Sequence, residues 1–242
     1  MKNQNTMKFQ YKYCLIPLIF LSLFSCRTEK KHQKNPTDIM IRDMENEPVF
    51  DIVLYDMQDN SGIFSSEYLH QYTIIKERDT ILVNDSTGMS YSSKVPYSTK
   101  TKWMPVSKPY FKSQVNNMGM VIVSKDANGK ISKVASPLGY SRYVGNSHYG
   151  YWGGGGWHFF TQYMFMRAMF GGGSFFRSNY TDYNRNYRGQ SSYYGKTATG
   201  TPKYGTKSSA MQSRMRSGTS KYRSGSRYGS GSSRSRGGGF GK

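Results

Sequence analysis

The 60 residues from Tyr183 to Lys242 carry 13 Lys and Arg, no Asp or Glu, and no Leu, Ile, Val or Trp. Ordering a backbone costs about 1–2 kcal/mol per residue, and a segment with so little apolar surface has almost nothing to offset that cost. A long disordered Gly/Ser/Arg/Tyr tail is therefore expected over 186–242, and one core running the whole length is excluded. The charge agrees with this division. Residues 1–85 hold 10 Lys/Arg and 12 Asp/Glu, residues 86–242 hold 24 and 2, and together they give the net charge of +20. The basic excess belongs entirely to the second part, which points to acidic partners.

At the other end, Lys2, Lys8 and Lys12 precede an apolar run from Cys14 to Phe24. A basic head, a short apolar middle and a small residue before a cleavage point are the parts of an export signal. The run is too short for a spanning helix, which needs about 20 apolar residues. Leu23-Phe24-Ser25-Cys26 resembles the lipobox of bacterial lipoproteins. The resemblance implies a signal peptide over 1–25, cleavage before Cys26, and lipid, including palmitate, on that cysteine. It places the chain in the bacterial cell envelope, anchored at the outer membrane. Cys14 would leave with the signal, so no internal disulfide is expected. Each buried acyl methylene contributes about 0.8 kcal/mol, and several chains hold firmly.

After the lipid, residues 26–46 read as a polar tether. From 47 to 145 the pattern predicts a small, mostly β domain. Its strongest element is the run Pro48-Val-Phe-Asp-Ile-Val-Leu-Tyr55, rich in β-branched and aromatic residues. Two hairpins are expected: Tyr72–Ile75 with Thr80–Val83 around Lys76-Glu-Arg-Asp79, and Met118–Ser124 with Lys130–Val134 around a turn at Asn128-Gly129. Pro96, Pro105 and Pro109 argue against long central strands between them. Residues 146–185 are a Gly/aromatic segment. Between its glycine runs, Trp157 to Phe170 lacks Gly and Pro, which predicts one aromatic-rich helix with Trp157, Phe159, Phe160, Tyr163, Met166 and Phe170 as a docking face. Such a helix must be covered by the β domain or by a partner chain.

Little here points to catalysis. His32, His70, His148 and His158 have no metal-site spacing with one another or with a cysteine, so no metal or other cofactor is assigned. Gly153–Gly156 is not followed by the Lys-Ser/Thr of a phosphate loop and reads as a turn or hinge. No G-x-S-x-G occurs. Asp126-Ala-Asn-Gly129 lacks the remaining ligands of a calcium loop. No catalytic residue is named and the chain is not read as an enzyme. The tail has more chemical content. Arg214, Arg216, Lys221, Arg223, Arg227, Arg234 and Arg236 alternate with Tyr, Gly and Ser, a composition that binds polyanions through charge and planar stacking. For an exported chain the expected polyanion is lipopolysaccharide, anionic lipid or acidic glycan, with nucleic acid less favoured.

Ser136-Pro-Leu-Gly-Tyr140, the segment Trp157-His-Phe-Phe-Thr-Gln-Tyr163 and the closing Ser233-Arg-Ser-Arg-Gly-Gly-Gly-Phe-Gly-Lys242 together resemble an uncharacterised family of exported bacterial proteins. The resemblance covers roughly 136–242 and implies an envelope location with no catalytic residue to carry over. The leading expectation is a membrane-tethered envelope lipoprotein of structural or interaction type, binding an envelope protein through the aromatic helix. The alternative is a polyanion-binding module acting through its tail.

Overall fold

The computed structural model describes residues 35–60, 67–83 and 87–216, the last three of these by backbone alone. Cys26, the signal segment, Lys221, Arg223, Arg227, Arg234 and Arg236 lie outside the described residues, as do the side chains of Arg214 and Arg216.

The fold is mostly β. The first helix, α1 (Pro36–Asp43), leads into β1 (Phe50–Asp59), β2 (Tyr68–Val83), β3 (Ser90–Lys100) and β4 (Met104–Val106), followed by α2 (Lys108–Gln114), β5 (Val121–Lys125) and β6 (Ile131–Ser132). The strands form one antiparallel sheet in the order β3-β2-β1-β5-β6, with β4 beside the first residues of β2. The strand expected around Pro48–Tyr55 is thus the middle of the sheet. Its alternation sends Phe50, Ile52 and Leu54 into one apolar cluster, while Val53 enters a second and Asp51 meets Arg142. Both faces of the sheet are therefore covered.

On the first face lie Met40 and Met44 from the α1 region, Phe111 of α2, and Tyr68, Tyr72 and Val106. The Asn35 side chain accepts the Thr37 N–H at 3.1 Å and Pro36 opens α1; the Ser107 hydroxyl likewise accepts from Tyr110 N at the start of α2. The expected tether over 26–46 is corrected here. Its second half is helical, and the two methionines belong to the core because they supply apolar surface that the sheet requires.

The segment Lys76-Glu-Arg-Asp79 is not a hairpin connection: it runs straight through the 16-residue strand β2. It contains no Gly, Asn or Pro to turn the chain, and β3 pairs with it residue by residue, Lys76 opposite Tyr97 and Asp79 opposite Lys94. Pro96 sits on β3, an edge strand, where a missing N–H is tolerated. The second expected hairpin forms in shorter strands, with Ser124 opposite Ser132. Gly129 takes φ +79° at its turn, and Asp126 Oδ1 accepts the amides of Asn128 and Lys130.

The second face is covered by residues 135–216, an aromatic layer with little regular structure. It contains a hairpin of β7 (Gly150–Gly153) and β8 (Gly156–Phe159), and the short helices α3 (Phe165–Met169), α4 (Arg177–Asp182) and α5 (Ser209–Arg216). The continuous helix expected from Trp157 to Phe170 is replaced by strand, a 3-10 turn at Thr161–Tyr163 and a helix of five residues. The cause is the glycine run. Gly154 and Gly155, at φ +55° and +78°, form a two-residue reversal matching the twist of a hairpin, so Trp152 pairs with Trp157. The tail expected from Asn186 also begins too early: Tyr193, Thr206 and Ser208 are buried, and the Tyr193 amide donates to Ala135 O at 3.0 Å.

Candidate functional site

Five of the six residues expected to dock, Trp157, Phe159, Tyr163, Met166 and Phe170, are buried in the chain's own second-face cluster with Val53, Ile75 and Val121 of the sheet. Phe160 alone points outward, 37% exposed. Alternation along β8 explains this: Trp157 and Phe159 face in, His158 and Phe160 face out.

Beneath the aromatic layer lies a charged network that sequence reasoning missed. Asp51 is fully buried; Arg142 Nη2 lies 3.4 Å from its Oδ1 and also donates to Phe50 O and to Lys125 O at 2.7 Å. Arg142 Nη1 lies 3.6 Å from Glu77 Oε1, which accepts from the Tyr149 hydroxyl at 3.1 Å, and Ser141 Oγ donates to Asp51 Oδ2 at 3.0 Å. Burial raises the Asp51 carboxyl above its ordinary value, against the pull of Arg142 and Ser141. For Arg142, burial disfavours the charge, yet Asp51 and Glu77 outweigh it and hold the guanidinium protonated. Removing one partner of such a set leaves an uncompensated buried charge, typically at a cost of about 3–5 kcal/mol. The network clamps the second layer onto β1 and β2. An acid within an apolar strand was its only local signal, because the partner lies 91 residues away.

A second polar cluster opens to solvent. Ser93 Oγ and the Tyr163 hydroxyl lie 2.6 Å apart, and His148 Nε2 is 3.0 Å from Tyr163 OH and 3.4 Å from Ser93 Oγ. Ser93 and His148 border an open recess of about 400 Å³ shared with Asp79, Lys94 and Asn146. The three groups satisfy one another, so the cluster joins β3 to the aromatic layer. Among the described residues no group of three His, Cys, Asp or Glu is placed to hold a metal ion, and no helix is long and apolar enough to cross a membrane.

The outer surface of the aromatic layer is the most distinctive part. Between 135 and 216 the sole acidic residue is Asp182. Arg167, Arg177, Arg185, Arg188, Lys196 and Lys207 are exposed and Lys203 is half-buried; none of the seven joins a carboxylate ion pair among the described residues. Several lie over rings instead: Lys203 Nζ is 3.9 Å from the Phe176 ring centre, Lys207 4.5 Å from Tyr194, and the Arg177 guanidinium 5.9 Å from Trp152. Partial burial lowers the Lys203 ammonium below its ordinary value. The same layer also exposes the rings of Tyr151, Phe160, Phe165 and Phe176. The N-terminal acids behave differently, since Asp38 meets Lys133 at 2.7 Å and Glu47 meets Lys76 at 2.6 Å. The basic excess expected in the tail is carried in part by the folded layer, where seven of the cations stand. Comparison of the chain with protein-family models, curated proteins and solved structures gives no match.

Proposed function

We propose that this protein is an exported, membrane-tethered envelope protein that binds polyanions, held by lipid on Cys26 and presenting the basic aromatic layer together with the Arg-rich segment C-terminal to it. The observation that carries the reading is the set of seven cations on that layer without carboxylate partners among the described residues, in a region with one acid. Surface cations that lack internal partners carry counterions, and a polyanion gains free energy by releasing them. An envelope protein partner remains compatible only if its own surface is acidic. The chemistry proposed is binding rather than turnover.

The test uses Cys26→Ala as the soluble form, which the proposal expects to leave the membrane fraction and to take up no labelled fatty acid. Its affinity for polyphosphate, measured at 50 and 200 mM salt, is expected to fall by an order of magnitude or more. Changing Arg167, Arg177, Arg188 and Lys196 together to Gln is expected to weaken binding and flatten the salt dependence. Salt-independent binding, or none at low salt, overturns the polyanion reading.

A further inference from the structure

We infer that the outer face of the β7–β8 hairpin is a saccharide-binding platform, so that the polyanion taken by this protein is an acidic glycan; the inference rests on the polyanion reading and narrows it. The rings of Tyr151 and His158 are cross-strand neighbours, 5.4 Å apart and within 22° of parallel, and Phe160 lies 6.0 Å from Tyr151 at 34°. Tyr151 is 55% exposed. The opposite face of the hairpin is anchored, with Trp152 and Trp157 in edge contact at 5.1 Å and Trp157 buried in the core. The row is therefore fixed from behind and open in front.

Two further details preorganise it. His158 Nε2 lies 3.0 Å from Gly153 O, a bond in which the imidazole N–H donates, so this ring is held along the hairpin. A Cβ at Gly153 would stand 3.3 Å from both the His158 and the Tyr151 rings, so glycine leaves them room to lean toward the tip. At Gly154 and Gly155 a Cβ would meet nothing, and the tip is bare.

The chemistry selects the occupant. A stacked Tyr151–His158 pair with the Phe160 ring tilted beside it, two of the three with polar edges and none accompanied on the hairpin by Leu, Ile or Val, suits a ligand with apolar C–H faces and a hydroxyl rim. That describes a pyranose better than the aliphatic surface of a protein. Charge complementarity extends the row. The Arg177 amide donates to Gly155 O at 2.9 Å, and Phe176, which carries Lys203 above its ring, bridges Gly156. A glycan lying along the rings and past the bare tip thus comes to the edge where Phe176 holds the Lys203 ammonium, a cation for its carboxylate or phosphate groups.

The experiment compares polygalacturonate, which has sugar faces, with polyphosphate, which has none, using Cys26→Ala protein and the same protein carrying Tyr151→Ala and Phe160→Ala. Both side chains are exposed, and an unchanged melting temperature will show that the variant folds. At 200 mM salt the parent is expected to bind polygalacturonate at least tenfold more tightly than polyphosphate, and the ring variant to lose that difference while keeping its polyphosphate affinity. Equal binding of both polymers by the parent, or an unchanged preference in the ring variant, overturns the platform while leaving the polyanion reading intact. Loss of polyphosphate binding by the parent at low salt removes the polyanion reading itself. A ring-dependent preference for single-stranded oligothymidine over polygalacturonate overturns the glycan assignment, because it would show that the rings stack bases.

Discussion

The imidazole of His70 is fully buried on β2 among the rings of Tyr72, Tyr110 and Phe111, with Nδ1 2.9 Å from the Tyr72 hydroxyl and Nε2 without a hydrogen-bond partner. Burial pushes its pKa from 6.5 down to about 3. The folded state prefers the neutral ring, so this contribution to stability is complete above 6.5 and is lost as the pH falls toward 3, at about 1.4 kcal/mol per pH unit for one proton. Asp51 acts oppositely: its raised carboxyl favours the folded state most below 3.8, and that contribution is lost as the pH rises through its folded value. Between pH 7 and 5 the imidazole should cost the native chain about 2 kcal/mol that a His70→Gln variant does not lose, read from urea midpoints. Equal losses in both proteins would show that the ring titrates normally. Nothing in the sequence identified His70 beyond its period-2 spacing from Tyr68 and Tyr72, which does place it on their face of β2. Its burial depends on α2, which is brought over the strand by long-range packing.

Where local chemistry fixes backbone geometry, the elements were legible: the β-branched run of β1 and the Asn128-Gly129 turn each carry their own signal, whereas the 11-residue edge strand β3 running through Pro96 has none. Where two periodicities fit the same residues, they were not. Trp157-His-Phe-Phe160 satisfies a helical count and also alternates in and out, and the deciding feature is the preceding Gly154-Gly155 reversal. Likewise the charged tetrapeptide in β2 resembles a connection until β3 supplies partners along its whole length. The hairpin gives a sharp test at Gly150. A Cβ there would lie 2.0 Å from His158 O, so even alanine must force the strands apart. Gly150→Ala is expected to break the Trp152–Trp157 pair and shift tryptophan emission to the red, with a loss above roughly 2 kcal/mol. Gly172→Ala, where a Cβ meets nothing although φ is +69°, should cost only the left-handed strain of about 1–2 kcal/mol and leave the emission unchanged. Matching spectra for the two variants would mean that the hairpin does not depend on close approach at Gly150.

Across the whole molecule, the basic C-terminal part divides at a different place from the one composition suggests. Low apolar content alone predicts disorder from Asn186, yet tyrosine carries the burial that Leu, Ile and Val would otherwise supply. Tyr193 packs into the second-face cluster, Tyr204 lies against it, and the Tyr194 hydroxyl donates to Asn117 Oδ1 at 2.7 Å. The Thr206 hydroxyl donates to Val115 O, tying the same segment back to the turn before β5. Burying one large side chain contributes roughly 1.5–3 kcal/mol, while a domain retains only about 5–15 kcal/mol in total. Losing this segment therefore removes a large share of the net stability. Two truncations of the Cys26→Ala chain separate the folded part from the residues C-terminal to it. A chain ending at Arg216 should melt cooperatively within a few degrees of the full-length protein. A chain ending at Arg185 should show no cooperative transition by circular dichroism and should expose the Tyr140 and Phe175 side of the core to dye binding. If the shorter chain melts like the longer one, residues 186–213 are an appendage, and the cations Arg188, Lys196, Lys203 and Lys207 lose the rigid placement on which the binding surface depends.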